Sequence, residues 1–259
     1  MKKSIIFFAF FFTSFFSFSQ NETAGKKPSF TPSFRASIGG LLLNYDQLNN
    51  VLEDNYIATF DGPALNASFV FAKTWNTKKP FGSYIGLDFL EGFESGKKSL
   101  NPNNNSLNAR ALKGYGLLVG TQYMALRKKY FQLYPSLGVG INRTTFTVFE
   151  QIPGGFSLSS TLNSNLVTRK YSSWNTFYDL GINAETRIPL LATIFNIGIN
   201  AGYRLGPKSN NWNYEDAVNV NFPELSLSGF HFAFVVGYEF SAKRYSDYFD
   251  KRKNKKKKG

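Results

Sequence analysis

Residues 229 to 240 read Gly-Phe-His-Phe-Ala-Phe-Val-Val-Gly-Tyr-Glu-Phe. One parity holds Phe230, Phe232, Phe234, Val236, Tyr238 and Phe240; the other holds Gly229, His231, Ala233, Val235, Gly237 and Glu239. A two-residue period with one large apolar face and one small or polar face is the pattern of a strand between two different environments.

The same grammar runs backwards along the chain. Phe195, Ile197, Ile199, Ala201, Tyr203 and Leu205 alternate with Asn196, Gly198, Asn200, Gly202 and Arg204. Tyr178, Leu180, Ile182, Ala184 and Ile188 alternate with Asp179, Gly181, Asn183, Glu185 and Arg187. Segments at 130 to 149, 110 to 126, 81 to 93 and 64 to 75 repeat it, and 34 to 45 does so less cleanly around Ile38-Gly39-Gly40-Leu41. These make eight strands.

The links alternate as well. Those at 76 to 79, 127 to 129 and 189 to 190 are short. Those at 46 to 63, 94 to 108, 150 to 172 and 207 to 226 are long and rich in Asn, Ser, Gly and Pro. Short turns at one end and long loops at the other describe an eight-stranded antiparallel up-and-down transmembrane β-barrel, a meander with both termini on the periplasmic side. One long link carries a helix signal: Asn44 with Gln47 starts it, and Leu48, Val51 and Leu52 recur at helical spacing up to Tyr56.

Volume decides which face points where. Eight strands enclose a lumen just wide enough for side chains to fill, so the Phe-rich parity has to face outward, where only lipid stabilises it. Trp75, Phe81, Tyr123, Phe131, Trp174 and Phe240 near strand ends suit two interfacial aromatic girdles.

Composition narrows the function. With no cysteine, disulfides, Cys-zinc sites and thiol nucleophiles are excluded; with a single histidine, so are multi-His metal sites. The formal charge of +13 is concentrated in the tail, where nine Lys/Arg face only Asp247 and Asp250. The basic pI is therefore no argument for nucleic-acid binding. Residues 1 to 19 read as a signal peptide, with Lys2 and Lys3 before an apolar run and Ser17-Phe18-Ser19 at the cleavage position. The run is shorter than the roughly 20 apolar residues a spanning helix needs. Residues 20 to 33 read as a polar periplasmic leader, 34 to 240 as the barrel, and 241 to 259 as a basic periplasmic tail ending in Lys255, Lys256, Lys257 and Lys258.

A cleavable signal, eight alternating strands and the ending Phe232, Phe234, Tyr238, Phe240 resemble the small outer-membrane β-barrel proteins of Gram-negative bacteria, of the OmpA-like and PorT-like kind. The resemblance rests on pattern over residues 34 to 240. It implies an integral outer-membrane location, contact with outer-membrane lipid, and recognition of the aromatic ending by the assembly machinery. It also admits a periplasmic or cell-surface protein partner, and a role as accessory subunit of a secretion or gliding machine.

The inward parity holds Asp88, Asp179, Glu185, Arg187, Arg204, His231 and Glu239, read as an internal ion-pair network, since buried charges must be paired. A lipid-modifying barrel hydrolase would need a nucleophile beside its histidine. Position 233 is Ala, which removes the His-x-Ser arrangement, and Ser136 is a remote candidate. The sequence thus points to a non-enzymatic barrel with no catalytic, cofactor or metal residues, acting through its long loops or basic tail.

Overall fold

The structure is a computed structural model, which describes residues 30 to 54, 59 to 75, 81 to 92, 107 to 150, 168 to 190, 193 to 214 and 217 to 240. The signal peptide, most of the leader and the basic tail lie outside these residues.

Eight strands close into a ring: β1 (Phe30–Leu41), β2 (Ala64–Trp75), β3 (Phe81–Gly92), β4 (Leu107–Tyr123), β6 (Phe131–Glu150), β7 (Thr168–Leu190), β8 (Thr193–Leu205) and β11 (Gly229–Phe240). Each pairs antiparallel with the next, and β1 with β11 completes the circle, running from Ser33↔Glu239 to Leu41↔His231. The all-β up-and-down meander is thus the architecture observed. Closure leaves the ring without a free edge, the condition for strands to cross a lipid core.

Three further strands lie outside the ring. β5 (Leu126–Arg127) is a two-residue pairing with β6 in a short turn. β9 (Ser209–Tyr214) and β10 (Ala217–Leu225) form a hairpin on the mouth-end extension of β7, through Tyr171↔Tyr214 and Ser172↔Asn213. The link at 207 to 226, read from sequence as a loop, is therefore mostly strand. Its alternations, Asn211-Trp212-Asn213-Tyr214 and Val218-Asn219-Val220-Asn221-Phe222, are shorter than those of the ring and lie among Asn and Pro, which read as loop residues.

The first strand begins at Phe30, earlier than residue 34, so part of the supposed leader is barrel wall. Thr31 and Ser33 are buried on the inner side. A Ser/Thr/Pro stretch resembles a linker, yet small polar residues are what the inner face of a narrow barrel takes.

The outward parity is as read. Phe230, Phe232, Phe234, Val236, Tyr238 and Phe240 are all exposed, while every intervening residue of β11 is buried. Phe34, Ile38, Phe69, Phe71, Leu87, Leu117, Leu137, Leu180 and Ile199 continue the belt. An apolar exterior of this extent is stable only against lipid. The core is therefore the lumen itself.

The wall is uneven in height. β6 and β7 run for 20 and 23 residues, against 12 for β1, β2, β3 and β11. Helix α1 (Asp46–Asp54) leans on the inner side of this taller wall and roofs the mouth. Leu48 and Leu52 pack with Tyr45, Phe60, Leu112, Phe146, Val148, Trp212 and Leu225 in one buried cluster. Asn44 caps the helix as expected, its Oδ1 accepting from the Asp46 N–H at 2.9 Å. Gln47 does not close a capping box. Its Oε1 instead accepts from the Glu224 N–H at 3.1 Å, tying α1 to β10. Asn49 holds the returning chain, donating to the Phe60 carbonyl at 2.9 Å and accepting its N–H at 2.8 Å.

Candidate functional site

The seven inward residues singled out in the sequence separate into two clusters. Towards the mouth, Arg204 from β8 reaches across the lumen to Asp88 on β3, its two terminal nitrogens donating to the two carboxylate oxygens at 3.0 and 2.9 Å. Its Nε donates to Asp179 at 3.2 Å, and His231 Nε2 lies 3.4 Å from the other Asp179 oxygen. Asn66 and Asn142 donate to Asp88 at 3.0 and 3.2 Å. The guanidinium lies 4.1 Å over the ring of Phe177, which is completely buried.

Towards the short turns, Glu239 accepts from Arg187 at 2.8 Å and from Arg127 at 3.0 Å. Glu185 pairs with Arg35 at 3.1 Å and accepts from Gln132 at 2.6 Å and from the Tyr134 hydroxyl. Arg35 extends the chain through Gln122 to Thr74.

Sequence reading missed Arg35 and Arg127. Arg35 had a signal: it alternates with Phe34 and Ala36 in step with Ser33 and Ser37. Arg127 sits in a turn, where parity says nothing. With them the balance closes, four guanidinium groups (Arg35, Arg127, Arg187, Arg204) meeting four carboxylates (Asp88, Asp179, Glu185, Glu239). Such pairing is what makes buried charge tolerable.

Between the clusters lies a cavity of about 80 Å³ with a mixed lining, polar at Arg35, Gln122, Ser136 and Asp179 and apolar at Val70, Leu118 and Val235. Ser136 Oγ lies 3.1 Å from Asn183 Nδ2 and 3.4 Å from the Gly181 carbonyl, whereas His231 faces Asp179. The remote Ser136 and His231 are therefore not brought together as a nucleophile and base. Among the described residues no cluster of three or more His, Asp or Glu is placed to hold a metal ion. At the roof, burial raises the Tyr45 phenol above its ordinary range.

Glycines make room for the large rings inside. A Cβ at Gly140 would stand 2.2 Å from the Phe177 ring, and one at Gly120 2.4 Å from that of Tyr84. Gly140→Val should lower the urea midpoint of the detergent-solubilised barrel, a loss of about 1–3 kcal/mol for overpacking. Phe177→Ala in the same background should recover part of it. An unchanged midpoint in the single variant would show that the ring moves freely.

Closed strand order, an apolar exterior and a charge-neutral, side-chain-filled lumen define a small eight-stranded outer-membrane-type β-barrel. Solved structures with a similar course include Neisserial surface protein A, 12% identical over 82% of this chain and 96% of that one, TM-score 0.36. They also include a major outer membrane protein from Thermus thermophilus, 13% identical over 82% and 98%, TM-score 0.41. A third is Ail, the attachment invasion locus protein of Yersinia pestis, 13% identical over 82% and 98%, TM-score 0.35. No family model and no curated protein matches the sequence.

Proposed function

We propose that this chain is a non-enzymatic barrel of the outer membrane with a structural or partner-binding role carried by its long-loop end. The observation that supports this is the double obstruction of the lumen: two ion-pair clusters across it and the α1 roof over its mouth. A barrel so filled offers no path for solutes. What it leaves accessible is the outer surface of the tall wall, the β9–β10 hairpin and the outer side of α1.

The short links and the ends of β1 and β11 share one end of the barrel, which the proposal places in the periplasm. In this reading the assembly machinery recognises Phe232, Phe234, Tyr238 and Phe240, which line the lipid-facing side of the last strand. Lys255 to Lys258 would meet an anionic periplasmic partner.

The purified protein in planar bilayers should give no large, stable conductance steps. Well-resolved nanosiemens steps would overturn the obstructed lumen. Purification from the native membrane in mild detergent reads the partner, as a protein retained in stoichiometric amount.

A further inference from the structure

We propose that the outer face of β3, β4, β6 and β7, just above the apolar belt, is a binding site for the phosphate of a phosphorylated glycolipid in the outer leaflet, with Lys113 and Arg143 as its ligands. The proposal rests on the orientation given above, with the long-loop end outside.

Strand register locates the site. Phe89, Tyr115, Arg143 and Trp174 stand side by side on the outer face of four adjacent strands. One step towards the short turns the row is Leu87, Leu117, Ile141 and Thr176; one step towards the mouth it is Glu91, Lys113, Thr145 and Ser172. On β3, β4 and β6 the change from aliphatic to charged and hydroxylated side chains marks the depth where headgroups begin. Lys113 and Arg143 are diagonal neighbours across the β4–β6 pair, a separation of roughly 7–8 Å that long side chains bridge. One phosphate between them is in reach of both.

Arg143 is the decisive residue. Arg35, Arg127, Arg187 and Arg204 each meet a carboxylate. Among the described residues no carboxylate pairs with Arg143. One of its terminal nitrogens donates to the Tyr115 hydroxyl at 3.3 Å, its guanidinium lies 6.0 Å over the Trp174 ring, and its Nε is buried without a partner. A guanidinium held at the lipid boundary by two aromatic rings, with donors unspent, is built for an anion, and phosphate is the anion at that depth. Lys113 contacts Glu91 at 3.2 Å, but both are well exposed, so this pair exchanges easily for a phosphate.

Level with the cations, and lined by Lys113 itself, runs a trough of about 340 Å³ along Leu65, Ala67, Phe89, Glu91 and Tyr115. Its volume is in the range of ligand sites, about 300–1,000 Å³, and the small side chain of Ala67 between larger neighbours gives an acyl chain a place to lie. Thr145 and Ser172 stand level with Lys113 on the tall wall, and β6 and β7 continue beyond them, so the wall rises beside a thick sugar headgroup rather than ending beneath it. Among the described residues of the opposite wall, the outward ones at its mouth edge are Leu205, Phe230 and Leu42, with no cation between them.

The test uses the full-length protein in detergent, with binding of bisphosphorylated lipid A, dephosphorylated lipid A and phosphatidylglycerol measured by native mass spectrometry. Bisphosphorylated lipid A should bind about tenfold more tightly than its dephosphorylated form, the scale of one charge-assisted hydrogen bond. The double variant Lys113→Gln/Arg143→Gln should lose that preference. Arg143→Lys should keep most of it, and Lys73→Gln, beside Trp75 at the other girdle, should change nothing. Equal binding of the two lipid A forms, or an unaffected double variant, overturns the site. Phosphatidylglycerol competing as well as lipid A at equal phosphate concentration overturns the glycolipid assignment. Detergent has no sidedness, so orientation is read separately: protease cleavage of intact cells confined to the short turns would overturn the orientation and leave the phosphate chemistry standing.

Discussion

Arg204→Met should destabilise the folded barrel by about 3–5 kcal/mol, the loss expected when one partner of a buried charge pair is removed. Asp88 is fully buried, and without Arg204 it keeps only the amides of Asn66 and Asn142. Asp179 would retain His231 alone, and Phe177 would lose the cation above its ring. Denaturation in urea, followed by the heat-dependent shift on gels, measures the change. Adding Asp88→Asn and Asp179→Asn to Arg204→Met should return most of the stability, because no unpaired charge then remains. A single variant within about 0.5 kcal/mol of the parent, the scale of an ordinary surface change, would show that the cluster is solvated and contributes little.

Leu180→Arg is expected to impair assembly almost as strongly. Leu180 is 45% exposed on the lipid side of β7, opposite Leu137 and Tyr203. An arginine at mid-depth on that face costs about 2–4 kcal/mol. Asp179→Asn, one residue away on the inner face, should be milder, since Arg204 keeps its two bonds to Asp88. The yield of heat-modifiable protein in the membrane fraction ranks the two. The reverse ranking would mean that the faces are exchanged.

The ring was legible because lipid outside and a crowded polar lumen inside impose opposite demands on alternate residues. The start of β1 lacks that contrast and read as leader, while the β9–β10 hairpin alternates only in short runs among Asn and Pro and read as loop. The inward residues were legible for the same reason, their pairing was not. Arg204 and Asp88 lie 116 positions apart and meet only across the closed lumen. Trp212 and Phe60, which complete the roof over the mouth, belong to segments without a repeating pattern, and only the packing of α1 assembles them.

The seam between β1 and β11 joins positions roughly 200 residues apart, a closure that loop entropy makes slow relative to the hairpins on either side. Both seam strands carry charged anchors: Arg35 on β1 reaches Glu185, and Glu239 on β11 reaches Arg127 and Arg187. A slip of one residue in β1 would turn all its side chains over. Arg35 would enter lipid, Phe34 would be forced into the lumen, and Glu185 would be stranded. The salt bridges of the lumen therefore act as a proofreading device on ring closure, rejecting wrong registers that backbone hydrogen bonding alone would accept.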